Sequence, residues 1–183
     1  MSMKSCLIAY YSRTGENYVG GTIVDLAVGN TEVVAATIAS ITGGDEFRID
    51  TVRPYPVGYD ECTDVARVEL RQQLRPEVKD LPTDIDAYDV VFLGYPNWWG
   101  TAPMAVFTFL ESYDFSGKTI VPFCTHEGSG MGRSERDIQV ACSGASVREG
   151  LAIRGGAVQG AGAGIRRWIE TSGLDVGFTR EGR

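Results

Sequence analysis

"YDVVFLGYPNWWGTAP", residues 88–103, decides how the chain is read. The run "VVFLGY" is apolar without polar alternates, the pattern of a strand covered on both faces. Pro96 ends it, since a proline has no N–H for the next rung of a ladder. "APMAVFTFLESY" (102–113) then reads as a helix. A buried strand, a short loop and a helix make one unit of a layered α/β fold.

The same unit recurs on either side. "KSCLIAYY" (4–11) and "KTIVPFCT" (118–125) are further buried strands, and "SVREGLAIR" (146–154) is the last one. "DEFRIDTV" (45–52) alternates like a strand near a sheet edge. "NTEVVAATIASITG" (30–43) carries Val33, Val34, Ile38 and Ile41 at helical spacing, with Asn30 or Thr31 as N-cap and Gly43 as stop. "YDECTDVARVELRQQL" (59–74), "SERDIQVACSG" (134–144) and "GAGIRRWIETSG" (162–173) read as helices too. Strands alternating with helices pair in parallel through crossovers. The expectation is a three-layer, doubly wound, five-stranded parallel sheet. It forms a single domain over residues 1–183, with an insertion at about 16–29. The tail after Gly173 is either a short extra strand or a frayed end.

Bulk properties narrow the function. The chain has 183 residues, 43% hydrophobic, which suits one sizeable core. A net charge of −7 argues against nucleic acid, whose binding rests on lysine and arginine. It suits docking to a basic protein face. Four scattered cysteines and a single histidine argue against zinc. No apolar run approaches the roughly 20 residues of a membrane span, and no signal pattern opens the chain, so a cytoplasmic protein is expected.

Ligands of doubly wound sheets sit at the carboxyl ends of strands near the strand-order switch, which directs attention to three loops. The first is "SRTG" (12–15). Its hydroxyls and backbone N–H groups suit a phosphate, although an ordinary turn has the same composition. It is interrupted: "ENYVGGTIVDLAVG" (16–29) separates it from the helix that opens "NTE". Turn and helix N-terminus are read as two halves of one split phosphate site, with the inserted segment packed as a flap. The second loop is "PNWWGTAP" (96–103). Adjacent tryptophans cannot both face one core, so an indole is expected to cover a flat ring. The third is "THEGSGMG" (125–132), where His126 is either a ligand contact or an ordinary loop histidine. Together the loops describe a ligand with a phosphate and a flat, partly polar ring, which matches FMN.

"YYSRTG", "GYPNWWGTAP" and "THEGSGMGRSERDI" also resemble the flavodoxins, and the last two resemble a subgroup with Pro-Asn-Trp-Trp-Gly and Thr-His-Glu-Gly-Ser-Gly loops. The resemblance implies the strand order 2-1-3-4-5, and it implies that Ser12, Thr14, Asn30 and Thr31 hold the phosphate, with Arg13 and Gly15 shaping the loop. It leaves open whether Asn17 or Asn30 makes the amide contact. Pro96, Asn97, Trp98, Trp99 and Gly100 would lie on one side of the isoalloxazine. Thr125, His126, Glu127, Gly128, Ser129 and Gly130 would lie on the other. The function so implied is electron transfer between redox partner proteins, with no catalytic residue beyond the flavin. The alternatives are an NAD(P)H-dependent quinone or flavin reductase, and a module holding another phosphate ligand without redox work.

Overall fold

Strands lined with apolar side chains on both faces need cover above and below, and the helices supply it. The computed structural model describes residues 4–179. The chain begins with β1 (Cys6–Tyr10), β2 (Gly15–Val19), β3 (Thr22–Leu26), α1 (Asn30–Thr42), β4 (Asp45–Arg48) and α2 (Tyr59–Gln72). Then come β5 (Val90–Pro96), α3 (Met104–Glu111), β6 (Thr119–His126), α4 (Ser134–Ala141), β7 (Ser146–Val147), β8 (Leu151–Arg154) and α5 (Gly162–Thr171). Alternation along the central strands divides the interior in two. Leu7, Ala9, Val91, Leu93 and Ile120 pack with α3 and α4, while Ile8, Val90, Phe92, Val121 and Phe123 pack with α1 and α5.

All pairings in the main sheet are parallel, in the order β4-β1-β5-β6, with β7 and then β8 on the far side of β6. This is the 2-1-3-4-5 order, with the last strand divided. The division has a chemical cause. Arg148 donates its N–H to the Ile120 carbonyl, so Ile120 faces the last strand, and so does Pro122 two residues on. Pro122 has no N–H to offer, and the ladder breaks between Val147 and Leu151. The unbroken strand expected over 146–154 is corrected accordingly.

The segment that separates "SRTG" from α1 is a hairpin, β2 paired antiparallel with β3. Gly20 and Gly21, at φ 62° and 95°, form its two-residue turn, which needs positive φ at both positions. At the other end of the chain Val176 bridges Lys4, and Thr179 N–H reaches the Ile41 carbonyl. The tail thus returns to the segment just before β1 and to α1; residues 1–3 and 180–183, included in the expected domain, lie outside the described residues. Among the described residues no helix is long and apolar enough to cross a membrane.

Candidate functional site

The strand order reverses between β1 and β5, and there a cleft of about 630 Å³ opens at the carboxyl ends of the strands. The three loops of interest meet around it. Arg13 lines it beside β1, Pro96 to Trp99 after β5, and Thr125 to Ser129 at the end of β6.

At one end lies the start of α1. Its N-cap is Gly29 rather than Asn30 or Thr31, because the chain is extended at Gly29 and already helical at Asn30, earlier than a cap by either side chain would need. Ser12, buried, reaches across from the first loop, and its Oγ accepts the Glu32 N–H at 3.0 Å. Val33 N–H goes to the Gly29 carbonyl. The amides of Asn30 and Thr31 remain as first-turn donors that no described residue takes up, and both residues line the cleft. Thr31 Oγ1 stands 2.8 Å from Thr125 Oγ1, joining the helix start to the end of β6.

The other members of "SRTG" have different places. Arg13 clamps the turn to the loop before α2, donating to the carbonyls of Glu16, Pro56, Val57 and Gly58. Thr14 is exposed and off the cleft wall, and half-buried Gly15 is off it too, because the chain leaves there to enter the hairpin. Thr14, expected to hold the phosphate, is thus not among the residues that line the cleft. Asn17 lines the cleft, but its amide donates to the Arg13 and Gly15 carbonyls and closes the turn. Asn30 is thereby the better placed of the two asparagines.

The two tryptophans divide. Trp98 meets Tyr11 and Tyr55 edge-on, with centroids 5.2 and 5.0 Å away, and forms the inner wall. Trp99 is 48% exposed at the rim. Its φ of 56° and the 85° of Gly100 are the central pair of a tight turn closed by Trp98 and Thr101. That strain costs of order 1–3 kcal/mol. The ring is steadied by its Nε1–H donating to the Thr63 carbonyl and by the Arg67 guanidinium 5.5 Å from its centroid. Gly100 serves the turn and lies off the cleft wall. Asn97, expected to offer polar atoms to a ring, ties the loops together instead. Its Nδ2 donates to the Gly130 carbonyl at 2.8 Å, and its Oδ1 accepts from Gly100 N–H at 2.9 Å. Gly130 accordingly acts through its carbonyl and does not line the cleft.

In the third loop His126 accepts the Gly128 N–H at Nδ1, 2.8 Å away. A neutral ring there carries its proton on Nε2. Burial and then repulsion from Arg154 hold its pKa below the ordinary imidazole value, with Glu127 opposing. Glu127 Oε2 accepts the Gly20 N–H of the hairpin turn at 2.9 Å. Its Oε1 is buried and takes no hydrogen bond among the described residues.

Several lining residues escaped the sequence reading. Tyr18 comes from the hairpin and Gly155 from the turn after β8; Tyr59, Cys62, Thr63 and Ala66 come from α2. The aromatic at the start of α2, after a proline-rich loop, was a usable signal for Tyr59. The Gly20-Gly21 pair between alternating residues was one for the hairpin that carries Tyr18.

A protein-family model described as flavodoxin matches residues 23–172. No curated protein matches the chain. Among solved structures, a candidate flavoprotein from Bacteroides eggerthii is 29% identical with a TM-score of 0.74, covering 92% of this chain and 98% of its own. A second, from Bacteroides uniformis, is 25% identical with a TM-score of 0.71, covering 92% and 99%. A flavoprotein from Lactobacillus acidophilus, crystallised in complex with FMN, shares the fold at 21% identity and a TM-score of 0.62, over 86% and 97%.

Proposed function

The chain belongs to the flavodoxin family, and from that premise we propose that it binds FMN in the cleft at the strand-order switch and transfers electrons between redox partner proteins. The observation that carries this reading is the division of one cleft into a donor-rich end and an aromatic end. Asn30, Thr31 and their amides, at the positive end of a 13-residue helix, suit a phosphate. Trp98 and Trp99 supply flat apolar surface for a ring, and the cleft volume is that of a small-molecule site. The buried, unpartnered oxygen of Glu127 is an acceptor in want of a hydroxyl or N–H donor, and FMN has both. The donor set therefore fits the cofactor, which supplies reversible one- and two-electron chemistry when bound. The chain's own part is to hold the phosphate, flank the ring and limit water.

The test is an absorbance and fluorescence titration of the purified protein with FMN and with riboflavin. Saturable FMN binding, tighter than riboflavin binding by about tenfold or more, is expected if the donors at α1 hold the phosphate. A protein that binds neither would be a module for some other phosphate ligand. Rapid oxidation of NADH or NADPH with a quinone, without a partner protein, would replace the carrier reading with that of a reductase.

A further inference from the structure

Glu127 joins two parts of the molecule that the fold alone does not connect. One carboxylate oxygen holds the hairpin by the Gly20 N–H, across 107 residues of sequence. The other is buried beside Gly155 and Asn30: a Cβ built on Gly155 would lie 2.5 Å from Oε1 and would also strike Asn30 Nδ2. A carboxylate oxygen shut away from water costs stability unless a donor meets it. The hairpin has a matching need. It forms a separate two-stranded sheet, and such a ribbon is marginal in water unless something pins it. Its other ties run along β2 against the start of α2: Glu16 Oε2 accepts the Tyr59 N–H at 2.8 Å toward the base, and the ring of Tyr18, nearer the turn, meets that of Tyr59 with centroids 6.1 Å apart.

We infer that Glu127 is a two-sided latch: Oε1 accepts a hydroxyl hydrogen from the polyol chain of the bound ligand while Oε2 keeps the hairpin closed over the cleft. The inference rests on the flavin reading above and adds to it a residue that selects the polyol. The chemistry leaves that part of the ligand. A phosphate dianion offers no hydrogen and repels a carboxylate, and its donors are gathered at Asn30 and Thr31. Trp98 and Trp99 line the same cleft and supply the aromatic surface for the ring. Between phosphate and ring the ligand presents hydroxyls, which donate. Seating the polyol fixes the carboxylate in the orientation that receives Gly20, so occupancy and hairpin closure reinforce each other.

The test compares three flavins on the unmodified protein and on Glu127→Gln. FMN has polyol and phosphate, riboflavin the polyol alone, and lumiflavin neither. Dissociation constants come from fluorescence titration, and hairpin closure from hydrogen–deuterium exchange over residues 15–26. FMN and riboflavin are expected to slow exchange in that segment and lumiflavin to leave it unchanged. In Glu127→Gln, FMN and riboflavin should bind about tenfold more weakly or worse, while lumiflavin shifts by less than about twofold. Equal protection by lumiflavin, or unchanged riboflavin binding in the variant, overturns the latch and leaves FMN binding standing. Failure of every flavin to bind the unmodified protein overturns the flavin reading and the latch with it. The comparison among ligands on the unmodified protein keeps its force even if the variant folds poorly.

Discussion

Gly29 joins the hairpin to α1, and replacing it with alanine tests whether the two halves of the first loop close on each other. Its φ of −69° and ψ of 148° are open to any residue, so conformation does not require glycine here. Space does. A Cβ built at Gly29 lies 2.5 Å from the Arg13 carbonyl oxygen and 2.9 Å from its amide nitrogen, and it also strikes Ser12 Oγ. Ordinary contact is roughly 3.5 Å, so the turn must retreat by about 1 Å. Ser12 Oγ then leaves the Glu32 N–H that it caps. Gly58 is the matched control. It stands at the N-cap of α2 with φ −63° and ψ 137°, again without a side-chain cap, and a Cβ there meets nothing nearer than Glu61 Oε2 at 3.8 Å. Both variants lose the same N-cap preference of glycine over alanine, and their difference isolates crowding. Overpacking costs about 1–3 kcal/mol and the lost cap roughly 1 more. For a domain of this size Gly29→Ala should therefore melt about 4–16 °C below Gly58→Ala. Thermal unfolding followed by circular dichroism, without added flavin, reads the difference. Equal melting temperatures would refute the closure of "SRTG" on the start of α1.

Two predictions concern pH. Burial raises the pKa of Glu69, with the hydrogen bond from the Tyr55 hydroxyl at 2.7 Å opposing. A raised carboxyl contributes stability that is complete below its ordinary value of 4.5 and lost as pH rises through the folded value. Glu69→Gln should flatten that loss in urea unfolding compared at acid and neutral pH; parallel curves for the two proteins would contradict it. His126 has the opposite sign. Its pKa is lowered, so its contribution is present above the ordinary 6.5 and lost as pH falls through the folded value, where protonated Nδ1 can no longer accept from Gly128. As the chain has a single histidine, long-range ¹⁵N spectra read the ring without assignment. A neutral ring protonated on Nδ1 would be incompatible with the bond from Gly128.

The layered architecture was legible because it rests on local patterns. "VVFLGY" and "CLIAYY" have no polar alternates, so each strand must be covered twice, and the helical segments between them have the spacing to do it. The loops at the ends of β1, β5 and β6 could be named for the same reason, since the switch-point rule needs only strand order. The hairpin was read as a looped-out flap because only its Gly-Gly turn marks it, and pairing is a relation between two segments. The break in the last strand was invisible for a similar reason. Pro122 stands in plain view in "IVPFC", yet which neighbour its missing N–H faces depends on register.

The candidate site divides along the same line. Residue chemistry picked out the tryptophan pair and the "THEGSG" loop, because hydroxyls and indoles announce what they can bind, and the flavodoxin resemblance added Asn30 and Thr31. Their allotment was settled only when distant segments met. Ser12 became the cap of a helix twenty residues away, Asn97 a tie between two loops, Thr14 a surface residue, and Trp98 a wall beside Tyr11 and Tyr55. A side chain can satisfy only the partners within its reach, and the tertiary fold decides which those are. Sequence thus determined the layers and the chemistry available at the strand ends. Tertiary structure decided which of those groups hold the scaffold together and which, like the buried Oε1 of Glu127, are left without a hydrogen bond among the described residues.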